Sequence, residues 1–511
     1  MVEKIAKNIV AIVSIIILAI LTLMSLLYVS TVKNFFENVF INLTTSIGLA
    51  IYLLIGFVII ILSKFISSKI NVTKVTKKII LVACIIAYTM VSIKWVNNST
   101  NEPIDDSKSV NNLAICFANG DIENIKNSGY IEKYPNQIGS VLVIGMMYKC
   151  FKTTNYRLIQ YINIASNIIT FIFMLLILKE LEKKYKVNKV AYTIMTLTFI
   201  PLILLTTYVY GDYIGLAFST VGIYFIMNYE RNRKIWKLLV SAIFMCLSYI
   251  TKMNYIIAIL AILIYLGLYL IQDIQSKDKK KILQSIVNII IYILITLMPF
   301  SIIKNYCYNK FGYDKEQALP TSVWLYVGMN ESYRSNGWYS DLAAEAWENT
   351  PLSHTTYPQK VKTRVKDLIS HPVYTVKFYW IKTISGWIDP YFQSIWYNVG
   401  VDDKDKVMKD IMDSNKYKAG EMYQKALTIL IYGGSFIAIL KNRKDLTNEL
   451  ILMIIIFIGG VLFHTIWEMK SRYTLPYVIM LIPVSTIGVQ YITDIINFKK
   501  PMIKRLNKKN A

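Results

Sequence analysis

Between Ile9 and Ser30 the chain carries no charged side chain. A run of about 18 or more apolar residues is long enough to cross a hydrocarbon layer as one helix. Lipid leaves such a segment little choice, because every backbone N–H and C=O must find its partner inside the segment itself. Similar apolar segments recur at 45–66, 79–96, 158–178, 190–208, 212–228, 237–251, 254–271, 282–303, 422–440, 449–467 and 473–495. Their interiors are nearly free of charge, and Lys64, Lys94, Asp212, Lys252 and Lys304 lie at their ends. Charged residues make up 17% of the 511, against about 25% in soluble proteins. The expected fold class is an all-α polytopic membrane protein with about twelve transmembrane helices. The first run exceeds the usual apolar core of a secretion signal and lacks a small-x-small cleavage site, so it is expected to remain as an anchor.

The formal net charge is +24. A basic chain can bind nucleic acid, but here the cations sit in short clusters between spans, which is the signature of topology. The clusters are Lys69–Lys78, Lys179–Lys189, Tyr229–Lys237, Ser276–Lys281, Lys441–Lys444 and the tail Lys499–Lys509. With both termini in the cytoplasm, alternation puts all of them inside, provided that Gly139–Phe151, about 13 residues and short for a span, stays on or dips into the outer face. Asn97–Gln137, the turns at Tyr210-Gly211-Asp212 and Lys252-Met253-Asn254, the long stretch Asn305–Glu421 and Glu468–Arg472 then face outward. The expected organisation is an N-terminal bundle over 1–303 containing a first external loop at 97–157, an extracytoplasmic region at 304–421, and C-terminal helices with a basic tail at 422–511. No internal repeat is visible.

The five cysteines are scattered, odd in number and without a C-x-x-C pair, so they outline neither disulfides nor zinc. The three histidines show no metal-ligand spacing. No cofactor is called for, and a divalent cation is left open. In the first external loop, Asp106-Ser107-Lys108 precedes Val110, Leu113, Ala114 and Phe117, an amphipathic stripe ended by Asn119-Gly120, and Asp121 suits the cap of a second short helix ending at Gly129.

The order Pro103-Ile-Asp-Asp-Ser-Lys-Ser-Val110, Gly120-Asp121, Gly129-Tyr130 and Tyr134-Pro135-Asn136-Gln137-Ile138-Gly139 resembles the first external loop of GT-C membrane glycosyltransferases, above all the bacterial protein O-mannosyltransferase-like and lipid A aminoarabinose transferase-like branch. Tyr208-Val-Tyr-Gly-Asp212, Gly337-Trp338-Tyr339, Trp387-Ile-Asp-Pro390 and Phe463-His-Thr-Ile-Trp-Glu468 leading into Arg472-Tyr-Thr-Leu-Pro476 continue the likeness, which spans roughly residues 79–495. The two helices before residue 67 are additional to that plan. The resemblance implies a GT-C-type bundle with loop helices on the outer face. It also implies sugar transfer, with inversion, from a polyprenyl-phosphate donor in the membrane lipid to an extracytoplasmic glycan, lipid or protein, with no nucleic acid involved.

Such a transfer needs a base for the acceptor proton and cations for the departing phosphate. Asp106, followed by Ser107, matches the acidic position of the family loop, with Asp105 beside it and Asp212 at a span end as a third catalytic candidate. Asp106 equally suits a helix N-cap. Lys252, Lys470 and Arg472 are the candidate phosphate ligands, and snorkelling of long cations at span ends explains them as well. Asp121, Tyr134, Asn136, Gln137, Tyr210, Trp338 and Glu468 are candidates for holding substrate; for the tryptophans, anchoring at the interface is the alternative. No phosphate-binding glycine loop is present, and a lipid-linked donor requires none. Two other classes stay open: a transporter or lipid flippase, which would place ionisable groups near mid-membrane, and a non-enzymatic envelope scaffold.

Overall fold

The computed structural model describes residues 2–69, 73–400 and 403–496; the basic tail Lys499–Lys509 lies outside them. Among the described residues nine helices are long and apolar enough to cross a membrane: Glu3–Leu27, Ser46–Ser67, Val75–Asn98, Arg157–Leu181, Met253–Gln275, Lys279–Phe311, Asn415–Asn442, Asn448–Ile466 and Ser471–Ile495. A tenth is a pair bent by 48°, Lys189–Leu197 with Ile200–Thr207. The bend falls just before Pro201, which has no N–H to bond the carbonyl of Leu197 one turn back and whose ring crowds it. The expected spans at 212–228 and 237–251 are also helical, Asp212–Asn232 and Ile235–Thr251, but neither is among the nine, and the second has only 17 residues. A helix packed inside the protein needs no uniformly apolar surface: Ser219 and Thr220 are buried, and Gly215 and Gly222 let Tyr255 and Met245 close in. The chain is thus a multi-pass membrane protein, with a count of nine or ten by length and apolarity.

The helices differ in how much they face lipid. Ser471–Ile495 is 78% buried over its most apolar window and forms the centre of the bundle, whereas Val75–Asn98 is 17% buried and lies at the rim. All the basic connections within the described residues gather at one end, where Lys184 pairs with Asp445, Lys186 with Asp494, and Arg233 with Asp273. The connections read as external gather at the other.

At that second end three sub-structures meet. The first is the loop after Asn98. Its helix Asp105–Asn119 buries Val110, Leu113 and Ala114 and stops at Gly120, which takes the left-handed backbone (φ 73°) that a residue with a Cβ resists. Asp121 caps Ile122–Asn127 by accepting from the Asn124 N–H at 3.1 Å. Both helices are as the stripe and capping residues predict. The short apolar stretch is a 14-residue helix, Ile138–Phe151, packed on Asp105–Asn119 and on the end of Ile235–Thr251, with Ser140 Oγ donating to the Thr251 carbonyl at 2.7 Å. The second sub-structure is the stretch after Phe311, with helices Thr321–Gly328, Asp341–Glu348, Thr350–Ser370, Pro372–Trp387 and Lys404–Asp413.

The third was not expected. The first span ends at Leu27, and the residues read as its last turn begin an antiparallel hairpin, β1 (Tyr28–Val32) with β2 (Val39–Leu43), in which Tyr28 pairs with Leu43 and Val32 with Val39. Its tip is fastened to the second sub-structure. Val39 N–H donates to the Arg334 carbonyl at 2.9 Å, Asn38 Nδ2 to the Tyr333 carbonyl at 2.6 Å, Trp396 Nε1 to the Asn34 carbonyl at 3.0 Å, and Phe35 N–H to Asp405 Oδ1 at 2.6 Å.

Candidate active site

Two clusters of opposite charge sit where these sub-structures meet the ends of the bundle. In the first, Arg472, in the first turn of Ser471–Ile495, donates through Nη1 to Asp212 Oδ2. Asp212 opens the helix Asp212–Asn232, where the positive end of the helix dipole favours a carboxylate. Lys252 Nζ stands 3.8 Å from Asp212 Oδ1 and 3.9 Å from the centre of the Tyr210 ring. The Arg472 guanidinium is surrounded by Tyr208, Tyr397, Tyr473 and Tyr210 at 4.6, 4.9, 5.0 and 5.6 Å from the ring centres, which offsets part of the cost of burying it. Its Nε–H is buried and has no hydrogen-bond partner among the described residues. Burial pulls the Lys252 ammonium down to about 8 despite the attraction of Asp212. A cavity of about 10 Å³ beside this cluster is lined by Leu205, Leu216, Leu475 and Ile479 together with Asp212 and Arg472.

The second cluster is built on Glu37, at the hairpin tip, with a left-handed φ of 59° and 2% of its surface exposed. Its carboxylate accepts from Lys470 Nζ at 2.9 and 3.0 Å and from Gln393 Nε2 at 3.2 Å, and it forms an ion pair at 3.0 Å with Arg334 Nε, whose N–H donates to the Phe36 carbonyl. Burial would raise this carboxyl, but the charges of Lys470 and Arg334 outweigh it and hold it below the usual range. Lys404, its ammonium 3.3 Å from the centre of the Trp396 ring, completes the cationic surround and is pulled by burial down to about 8.

Between the clusters lie the acids of the first loop. Asp106 occupies the first turn of its helix without capping it; Ile104 is the cap residue, and Ser107 Oγ bonds to the Ile104 N–H at 3.0 Å. The Asp106 carboxylate instead accepts from Tyr130 Oη at 3.1 Å. Asp105 takes a left-handed φ of 47°, unusual for a residue with a Cβ and a local strain that clusters at functional sites. Although Asp105 retains exposed surface, desolvation in the cleft raises its carboxyl, with Glu37 adding to the rise and Lys470 and Lys404 opposing it.

Glu468, 7% exposed, is the third acid. Its carboxylate makes no hydrogen bond or ion pair among the described residues, yet it feels Lys470, Asp106, Glu37 and Arg334. Burial, helped by the like charges of Asp106 and Glu37, raises it to about 7. The backbone that carries it is fixed from behind. Lys382, buried, donates to the carbonyls of Gly328, Thr465 and Trp467, the last two at 2.9 and 2.8 Å. Asp389 accepts from Ser471 Oγ and from the N–H groups of Tyr391 and Gln393 at 2.6, 2.9 and 2.8 Å.

Of the residues singled out from sequence, Asp105, Asp106, Asp212, Lys252, Lys470, Arg472 and Glu468 come together here. Gln137 joins them through a hydrogen bond to Tyr210 Oη, and Tyr134 through Tyr130, 5.1 Å away between ring centres. Asn136 is exposed beside them. Asp121 does not join: both its oxygens are used on Asn124, at 3.1 and 2.6 Å. Trp338 is also elsewhere, with 0% exposure and its indole N–H on Ser385 Oγ at 3.0 Å, so its ring faces meet protein and leave no room for a sugar. Sequence reasoning missed Glu37, Arg334, Lys404 and Tyr130. A signal for the strand that brings in Glu37 exists in the β-branched and aromatic run Val39-Phe40-Ile41. Among the described residues, no group of three or more His, Cys, Asp or Glu is placed to hold a metal ion.

Residues 134–313 match the family model described as dolichyl-phosphate-mannose-protein mannosyltransferase, a GT-C family. The matched part carries Gln137, Tyr210, Asp212 and Lys252; the acids of the first loop, Glu37 and the Glu468–Arg472 loop lie outside it. No curated protein matches the chain.

Proposed function

From its place among the GT-C membrane glycosyltransferases, we propose that this chain moves a sugar, mannose by the name of the matched family, from a polyprenyl-phosphate carrier to a hydroxyl on an extracytoplasmic glycan, lipid or protein. The carrier enters sideways from the lipid. Its phosphate takes the unused Nε–H of Arg472 and the Lys252 ammonium, while Asp212 keeps both cations in place. The acceptor hydroxyl approaches from the side of the first loop, and Asp106 takes its proton as the new bond forms at the anomeric carbon. The electron pair of the breaking bond leaves with the polyprenyl phosphate. A single displacement of this kind inverts the anomeric centre. Tyr210, Gln137, Tyr134 and Glu468 line the space where the sugar would sit.

The observation that carries the reading is the meeting of a carboxylate and a cation from separate parts of the chain: Asp106 in the first loop is within electrostatic reach of Lys252, which shares Asp212 with an arginine that has a donor to spare. Asp106→Asn removes the proton acceptor but keeps the shape and can still accept from Tyr130. It should insert and bind donor normally while radiolabelled transfer from polyprenyl-phosphate mannose falls by at least about a hundredfold. Asp105→Asn should cost less. Near-normal turnover in Asp106→Asn with loss in Asp105→Asn or Asp212→Asn would reassign the base. Activity in all three would remove the acids from the chemistry and return the flippase and scaffold readings.

A further inference from the structure

Glu37 belongs to neither the matched segment nor the first loop. It arrives on a hairpin between the first two helices and is held there by contacts on both sides of the tip, at Tyr333, Arg334, Trp396 and Asp405. A buried carboxylate with a left-handed backbone, ringed by Lys470, Arg334 and Gln393, is costly to assemble and needs a reason. The sequence around Lys470 supplies one. Lys470 is two residues from Glu468, and without Glu37 the ammonium would be free to pair with another carboxylate. Glu468 is available for that, since it is buried, feels Lys470 and makes no hydrogen bond or ion pair among the described residues.

We propose that Glu37 is a positioning residue: by engaging Lys470 and Arg334 it keeps them from closing ion pairs with Glu468 and Asp105, so that the site presents unpaired carboxyls to the incoming sugar and acceptor. The N-terminal hairpin is therefore part of the working site, and this use of it rests on the glycosyltransferase reading. The groups facing Glu37 are Lys470 and Arg334 in direct contact and Lys404, Asp105 and Glu468 through space. Their effects combine in one direction. Glu37 raises both the Asp105 and Glu468 carboxyls, and Lys470 lowers both. Neutralising Glu37 deletes a like charge and frees an opposite one, so both carboxyls must become more acidic.

The test uses the full chain reconstituted in liposomes. In pH-difference infrared spectra the wild type should show a protonated-carboxyl band titrating near 7 and absent from Glu468→Gln. In Glu37→Gln, which keeps the size of the side chain and one acceptor oxygen but removes the charge, the midpoint of that band should fall by at least about one pH unit. In Lys470→Met it should rise. The double variant, which removes both charges, should return close to the wild type. With polyprenyl-phosphate [3H]mannose as donor, the acid limb of transfer should move down in Glu37→Gln, alongside lower turnover. A band that stays within about 0.3 unit in Glu37→Gln, at unchanged thermal stability, would overturn the inference. Glu37→Asp serves where Glu37→Gln does not fold: its shorter stem draws the carboxylate back from Lys470, so a downward shift of the midpoint supports the proposal, while a wild-type midpoint overturns it. If the wild type transfers no sugar but the band behaves as stated, the enzyme reading fails and the role of Glu37 toward Glu468 stands.

Discussion

Lys470 and Arg472 stand two residues apart on one loop, and each is held by a carboxylate, yet the two clamps differ in kind. Arg472 is held by Asp212 and by the Tyr397 hydroxyl, with one donor left open. Asp212 takes one of its nitrogens, tyrosine faces cover the plane, and Nε–H is left over. Lys470 is closed off: both oxygens of Glu37 accept from its single nitrogen, and Arg334 and Gln393 complete the carboxylate's shell. An open clamp can receive an anion, whereas a closed clamp can only hold its neighbours in place. On the function proposed above, neighbouring cations that look equivalent in sequence would have different work: Arg472 and Lys252 would meet the phosphate, and Lys470 would be restrained from pairing with Glu468.

The largest effect that can break this contrast is at Arg472. Arg472→Ala removes a preorganised donor, a change worth about 10²–10³ in turnover. Arg472→Lys restores the charge but has neither a second donor in the same plane nor a flat face for Tyr208 and Tyr397. If the open Nε–H is what receives the phosphate, the two variants should be equally poor, within about threefold of each other, because a lysine cannot form the fork. A lysine variant with near wild-type transfer would show that the site needs only a point charge, and the difference between the two clamps would lose its meaning.

A smaller effect sharpens the contrast on the Lys252 side. Burial lowers this ammonium to about 8, so it carries its charge below that pH and loses it above. The phosphodiester of the donor does not titrate in this range. The donor KM should thus be flat below about pH 8 and rise by roughly tenfold per pH unit above it, one proton being lost per site. Lys252→Arg keeps its charge throughout and should abolish the rise even if its KM is higher at neutral pH. A KM that stays level to pH 9.5 in the wild type would mean that Lys252 contributes no charge to the donor.

What could be read from sequence divides along a physical line. The helices of the first external loop were legible because stripe, cap and stop are local signals: Val110 and Leu113 for the face, Asp121 for the cap, Gly120 for the end. The spans were legible because lipid demands long apolar runs, although buried helices such as Asp212–Asn232 relax that demand and blur the count. Asp212, Lys252 and Arg472 were recognisable as charges where charge is expensive, but their union was not, since Asp212 and Arg472 are 260 residues apart. Glu37 was hidden twice over. Its hairpin extends an apolar run that already satisfied the pattern of a span, and a strand pair is defined by its partner more than by its own residues. Its cation lies 433 residues away. Trp338 shows the reverse error, for an aromatic near a glycine invites a sugar-stacking role that its full burial denies.

The smallest expected effect concerns an acid outside both clamps. Asp121 resembles the others in sequence: it follows a glycine, lies in the same loop as Asp106 and precedes a short helix. In the structure both of its oxygens serve Asn124, one on the backbone N–H and one on the side-chain amide. Asp121→Ala should then cost about 1 kcal/mol of stability, the usual loss for removing an N-cap, seen as a lower unfolding temperature in detergent. Asp121→Asn should cost almost none of it, because asparagine caps about as well as aspartate. Neither should change transfer by more than about twofold, since the reacting groups lie elsewhere and surface changes of this kind rarely exceed about 0.5 kcal/mol. A tenfold loss in Asp121→Asn, with the unfolding temperature unchanged, would put a third carboxylate into the chemistry. The site would then extend along the first loop beyond the two clamps, and the division of labour between Arg472 and Lys470 would describe only part of it.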